Sequence, residues 1–294
     1  MEHSTTPRAV IYGALAVLIL IWGTTWAAIR IGLEGLPPFT GASLRFILAG
    51  SVLITLARIL RVPRQSGPRL RRLWWIEGVF AFGISYGIVY WAEQWVPSGL
   101  ASVLFSTFPF FVAILAHLWL EEEKLHWLHL VGIGVGFAGV AVISADDLVL
   151  QSRQQTVAAL VLLGSPMAAA VAHVQVKKWG RGLHPLNLAG VPMLAGGLAA
   201  GLMAMLTERH RDFNFDARAI GAVLYLAIAG SAVTFTVYYW LLEKLPATRL
   251  ALITYGIPVV AVIIGTVGLG EPMTAQTLLG SALVLGGVSM ALRA

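Results

Sequence analysis

Apolar positions dominate the chain in long, nearly unbroken runs rather than in short alternating stretches. Residues Ala9 to Ile29, Val96 to Leu120, Gln154 to Val176, Leu183 to Thr207, Ala219 to Leu242, Leu250 to Gly270 and Pro272 to Leu292 contain no Asp, Glu, Lys or Arg. Three more runs are almost as clean: Phe39 to Ala57 is interrupted by Arg45, Leu73 to Trp95 by Glu77 and Glu93, and Leu125 to Ala145 carries only His126 and His129. A bilayer core about 30 Å thick needs about 20 apolar residues per spanning helix, so the pattern predicts an all-α integral membrane protein with ten transmembrane helices. Alternating strands of about ten residues, the signature of an outer-membrane barrel, are missing. The first run is too long for a signal-peptide core and is followed by Arg30 rather than a small-residue cleavage site, so it is expected to be a permanent span.

Composition sharpens this picture. With 58% hydrophobic and 12% charged residues and a mean hydropathy of +0.81, lipid must be the main solvent. The sequence has no cysteine, which removes disulfides, thiolate metal sites and cysteine nucleophiles. A pI near 9.9 could suggest nucleic acid, but the basic residues sit in short loops between spans, where the positive-inside rule accounts for them. With ten spans, fourteen Lys and Arg fall on one side and five on the other, and Arg45 stays inside the membrane. Both termini are therefore expected in the cytoplasm, the location being the inner membrane.

Laid on itself with a shift of 149, the chain shows a weak repeat. Tyr90 meets Tyr239, Trp91 meets Trp240, Pro97 meets Pro246, Pro109 meets Pro258 and Glu122 meets Glu271; with a one-residue slip, Gly132 and Gly139 fall on Gly280 and Gly287. A unit of five crossings forces its second copy to enter from the opposite face, so two five-helix inverted repeats are predicted, over 9–145 and 154–292.

The candidate site is read from stripes at 100° per residue. On the third span Gly83, Tyr86, Gly87, Tyr90, Glu93 and Gln94 share one face, with Ile84, Ile88, Trp91 and Trp95 on a lipid face. On the fourth, Ser98, Ser102, Phe105, Ser106 and Pro109 align; the matching positions of the ninth are Ala247, Ala251, Thr254, Tyr255 and Pro258, and on the eighth Ala232, Phe235, Thr236 and Tyr239 align. These stripes describe a cavity of rings, hydroxyls and small residues, with Tyr86, Tyr90, Glu93, Ser102, Ser106, Tyr239, Thr254 and Tyr255 as candidate substrate contacts. Pro109 and Pro258 each free a carbonyl one turn earlier, at Phe105 and Thr254, and are candidate kinks that either a wet cavity or a nearby hydroxyl satisfies. Gly83 and Gly87 are expected to let helices approach closely, as are Gly132, Gly136, Gly139, Gly280 and Gly287. Arg45, about two turns into the second span, requires a partner, for which Glu93 and Glu34 are candidates, or else snorkels to the interface. Glu77 is expected to pair with a loop arginine. His173 and Lys177, near the inner end of the sixth span, are either basic anchors or substrate contacts.

The two five-helix units, the WGTTWAAIRIGLEGLPP opening with Trp22 and Gly23, the LRF around Arg45, and the LEEE and LGEP closings resemble the EamA repeat of the drug/metabolite transporter superfamily. The resemblance covers nearly the whole chain and is strongest to ten-helix exporters of the YddG type. It implies export of amino acids, aromatic ones included, and adds Trp22 to the candidate substrate contacts.

Several alternatives fail on chemistry. GVGFAG at 134–139 matches a dinucleotide fingerprint formally, but it lies inside a span without an acidic residue about twenty positions on. His126 and His129 lack a third ligand, so no metal is expected. No GxxxxGK[ST] loop is present, so neither ATP hydrolysis nor a cofactor is expected. One deep cation is too few for polyanionic substrates. An intramembrane enzyme would need a catalytic pair that the spans lack. The expected function is secondary transport of a small amphipathic metabolite by alternating access, with a multidrug or cationic-compound exporter as the alternative. The expected partners are that solute and the lipid bilayer, not nucleic acid.

Overall fold

A computed structural model describes residues 6–143, 145, 152–209, 213–263 and 275–293. The described residues are helical, without strands, and fall into ten units: α1 (Arg8–Gly35), α2 (Pro38–Ile59), α3 (Pro68–Ala92), α4 (Ser98–Trp119), α5 (Trp127–Ile143), α6 (Arg153–Trp179), α7 (Pro185–Thr207), α8 (Ala217–Lys244), α9 (Ala247–Ala251 and Ile253–Ile263) and α10 (Ala275–Arg293). Seven of them, α1 to α4 and α6 to α8, are long and apolar enough to cross a membrane. The described parts of α5, α9 and α10 contain shorter apolar helices, of 10–17 residues. Glu271, Gly270, Pro272 and the end of the ninth predicted span lie outside the described residues.

Prolines set where the helices begin. Pro38, Pro68 and Pro185 occupy first-turn positions, and Pro97 and Pro246 precede α4 and α9. A missing N–H costs nothing there, because the first turn has no carbonyl to receive it. Side chains cap other starts: Asp216 accepts from the Ala219 N–H at 2.8 Å and Ser152 from Gln155 at 3.2 Å.

Two helix pairs form the tightest packing in the bundle, α2 against α7 and α5 against α10. Small residues allow it. A Cβ on Gly50 would stand 2.6 Å from the Leu194 amide nitrogen, one on Gly139 would stand 2.6 Å from the Gly280 carbonyl, and one on Gly132 would stand 2.7 Å from the Gly287 carbonyl. Gly287 is pressed in return against the backbone of Gly132 and Gly136. Backbone-to-backbone contact of this kind holds helices together in lipid, where no hydrophobic force operates between them. The α2 and α7 termini also cap one another. Glu208, beyond α7, accepts from the Phe39 and Thr40 N–H groups at 2.8 and 2.9 Å, and Gln65, beyond α2, accepts from the His184 N–H at 2.7 Å.

Both α3 and α8 contain a π-helical segment, Glu77–Ser85 and Ile228–Val233 respectively. The wider turn rotates everything beyond it relative to an ideal α-helix. This corrects the face predicted for α3: Gly83 and Gly87 do not pack a neighbouring helix backbone. They line an apolar groove of about 1000 Å³ on the bundle's flank, together with Ile84, Ile88 and Trp91. A Cβ on Gly87 would meet only the Phe39 ring, at an ordinary 3.8 Å.

Candidate functional site

A small cavity of about 70 Å³ lies where α1, α3, α4, α6, α8 and α9 meet. Trp22, Thr25 and Trp26 come from α1; Ser85 and Tyr86 from α3; Phe105 and Phe108 from α4; His173 from α6; Phe235 and Tyr238 from α8; and Thr254 from α9. None of the lining residues is Asp, Glu, Lys or Arg. The rings pack mostly edge to face: Trp22 lies 5.7 Å from Phe235, Trp26 5.7 Å from Phe105, and Phe82, just behind the wall, 5.0 Å from Phe235. That geometry lets the quadrupoles attract and leaves ring faces available to a further ring.

The polar atoms at this site divide into satisfied and unsatisfied. Thr25 donates to the Trp22 carbonyl at 2.8 Å, Thr254 to the Ala251 carbonyl at 3.0 Å, and the Ser85 and Ser165 hydroxyls share a 2.9 Å bond. His173 is different. It is buried, with ring contacts to Tyr238 at 4.7 Å and Phe108 at 5.6 Å, and neither ring nitrogen has a protein hydrogen-bond partner. The Trp22 indole nitrogen is likewise buried without one. Buried polar groups of this kind are rare in folded proteins and call for a water or a solute.

Of the substrate contacts expected from sequence, Trp22, Tyr86 and Thr254 reach the cavity wall. The others lie elsewhere. Tyr90 is buried behind the wall, and Gly41 faces its ring. Ser102 donates to the Gly99 carbonyl at 2.7 Å and Ser106 to the Ser102 carbonyl at 2.8 Å, so both hydroxyls are spent on carbonyls other than that of Phe105, which Pro109 frees. Pro258 sits inside the second part of α9. Tyr255 points away, packing on Gly136 and donating to the Ile133 carbonyl at 3.0 Å.

Arg45 is buried, and neither predicted carboxylate holds it. Its Nε donates to Ser231 Oγ at 2.8 Å and one terminal nitrogen to the Gly230 carbonyl at 3.1 Å, both in the π-segment of α8. Its guanidinium also lies 4.7 Å from the Tyr86 ring centroid, within cation–π range. A widened helical turn offers carbonyls at an angle that a planar fork can reach. Glu34 instead pairs with Arg218 at 3.0 Å on the surface, and both Glu93 carboxylate oxygens lack a protein partner.

A second cavity, about 470 Å³, opens at one end of the bundle. Glu121, Glu122, Lys178, Arg181 and Glu243 form its exposed rim, and Tyr239 lies on its wall. Lys177, also on that wall, donates to the Leu242 and Leu245 carbonyls at 2.8 and 2.7 Å, so it ties down the end of α8. Tyr239 touches His173 at 6.2 Å between ring centroids and donates its hydroxyl to Glu77 Oε2. Glu77 is thus wholly buried against a tyrosine, not paired with a loop arginine.

His173, Tyr238 and Phe108 carry more of the central wall than the sequence stripes suggested. His173 could have been found as a titratable side chain a full turn deeper than Lys177, too far in to snorkel comfortably.

A bundle whose described residues are helical, with a small aromatic cavity where six helices meet and a larger vestibule beside it, has the build of a solute transporter. The EamA-like transporter family model matches residues 8–145 and, a second time, 156–293, and the chain belongs to that family. It is 30% identical to an uncharacterized transporter of Archaeoglobus fulgidus, over 95% of this chain and 97% of that one. It is 32% identical to the uncharacterized inner membrane transporter YedA of Escherichia coli (strain K12), over 88% of this chain and 83% of that one. A solved crystal structure 21% identical in sequence superposes with a TM-score of 0.79 over 97% of each chain, a likeness of fold alone.

Proposed function

We propose that this protein is a secondary exporter of small amphipathic solutes, amino acids with aromatic or apolar side chains foremost, working by alternating access between two inverted five-helix repeats. The observation that carries this reading is the central wall: aromatic rings, no formal charge, and unpartnered polar atoms on His173 and Trp22. Rings receive an apolar or aromatic side chain, while the imidazole and indole nitrogens can hydrogen-bond a small polar group. A cavity of about 70 Å³ holds little more than a water or two. The wall must therefore part to admit a solute.

The repeat reading draws support from placement. Shifted by 149, the π-segment of α3 falls on that of α8, and Pro97 falls on Pro246, each directly before a helix. Given ten crossings, the distribution of Lys and Arg favours both termini in the cytoplasm. On that orientation the vestibule ringed by Glu121, Lys178 and Arg181 faces the cytoplasm, the side from which an exporter loads. The second reading, export of cationic compounds, draws on Glu93, whose carboxylate oxygens are unpaired; Glu93 is not among the residues lining the cavity.

The test is uptake and counterflow in proteoliposomes across a panel of the twenty amino acids, with cationic dyes as a separate arm. Transport of aromatic or apolar amino acids supports the reading. Transport of dyes alone transfers it to the second, and failure to move any panel member overturns both.

A further inference from the structure

The partition between the vestibule and the central cavity contains a carboxyl group that nothing described so far employs. Glu77 begins the π-segment of α3 and is 0% exposed. One carboxylate oxygen, Oε2, receives the Tyr239 hydroxyl; the other, Oε1, has no protein partner. Tyr239 in turn lines the vestibule on one side and touches His173 of the central cavity on the other. A carboxyl group so placed can exchange a proton with the vestibule when the partition opens and is sealed from it when the partition closes.

The groups around Glu77 define what it can bind. Among the described residues, no Lys or Arg forms an ion pair with it. The adjacent π-segment packs against α7, which has no titratable side chain, and α6, which contributes His173. From α8 come Tyr238 and Tyr239. A lone negative charge in such surroundings is costly unless an ion compensates it. A metal cation would need several oxygen ligands, and Glu77 together with one tyrosine supplies too few. A proton needs a single lone pair, and Oε1 offers one.

We propose that Glu77 is the binding site for a coupling proton: for each solute that leaves, one proton settles on Oε1 while the Tyr239 partition seals it from the vestibule and is released into the vestibule when the partition opens. This rests on the export reading above. Tyr239 is a positioning residue, holding the carboxyl group by its other oxygen.

The experiment has two arms. In the first, proteoliposomes are loaded with the amino acid that the wild-type chain moves best, and counterflow is measured without a gradient, followed by accumulation driven by a one-unit pH difference. One-for-one exchange yields accumulation of up to about tenfold, since one pH unit is about 1.4 kcal/mol. Wild type is expected to accumulate solute. Glu77→Gln, which keeps an acceptor for Tyr239, is expected to lose gradient-driven accumulation while counterflow remains measurable. Tyr239→Phe is expected to shift the pH at which accumulation is half-maximal. In the second arm, infrared spectra of the detergent-solubilised protein are compared. The carbonyl band of a protonated buried carboxyl group should be present in wild type and absent from Glu77→Gln. Counterflow that no pH difference can drive uphill, or equal accumulation by Glu77→Gln, overturns the proton site while leaving the export reading intact. If no solute moves, the export reading fails, and identical infrared spectra of wild type and variant would reject the proton site by themselves.

Discussion

Replacing His173 with phenylalanine should make the empty protein more stable and shrink the further stabilisation that a bound solute adds. Both imidazole nitrogens are buried without a protein partner, and leaving one such atom unsatisfied costs about 1–3 kcal/mol. Phenylalanine removes that cost and retains a ring to contact Tyr238, Phe108 and Phe235, which now stand 4.7, 5.6 and 6.1 Å away. Its slightly larger ring has the adjoining cavity of about 70 Å³ to expand into. The net gain should be about 1–3 kcal/mol. The thermal midpoint in detergent would rise by roughly 2 °C for each of these, given the length of the chain. The solute that stabilises wild type most in the amino-acid panel should stabilise the variant much less, because losing one hydrogen bond worth about 1.4 kcal/mol weakens binding tenfold. A differential scanning measurement with and without solute reads both effects. A fall in the midpoint with the solute response intact would show that His173 is a packed structural residue and that the wall has been misread.

Further expectations concern the frame around the site. Gly139→Ala should lower the thermal midpoint, because its methyl group would press on the Gly280 carbonyl at 2.6 Å and overpacking costs about 1–3 kcal/mol. Gly134→Ala on the same helix meets nothing within 4 Å and should not destabilise. Glu123→Ala should cost about 1–2 kcal/mol in the same assay, since its carboxylate accepts from the Ala247 and Thr248 N–H groups at 2.8 and 3.0 Å at the start of α9; Glu122→Ala, on the exposed rim, is the control. Tyr86→Ala should reduce transport severalfold in proteoliposomes with the fold retained, whereas Tyr255→Ala should reduce stability instead, because its hydroxyl and ring bridge α9 to α5.

Seven of the predicted spans were legible from hydropathy because lipid imposes one demand on every crossing segment, and the ends of α2, α4, α7 and α8 fall within two residues of the predicted runs. Sequence reasoning failed where the backbone leaves the ideal helix. A ruler of 100° per residue placed Gly83 and Gly87 beside Tyr86, but the π-segment from Glu77 to Ser85 turns the glycines outward and brings Ser85 to the cavity. Partners distant in sequence were also hidden. Arg45 chose carbonyl and hydroxyl groups that a second π-segment presents 185 and 186 positions away, and Glu77 chose a tyrosine 162 positions away. Charge matching pointed to carboxylates and arginines instead, because in sequence only charge is visible and backbone geometry is not.

The reciprocal closure of α2 and α7, together with the glycine seam between α5 and α10, joins one helix of the first matched segment to one of the second at two separate posts. Two polypeptides of half length, synthesised apart and mixed in a membrane, should therefore recognise each other through these posts. Restored transport from such fragments would show that the adhesion between halves needs no covalent tether.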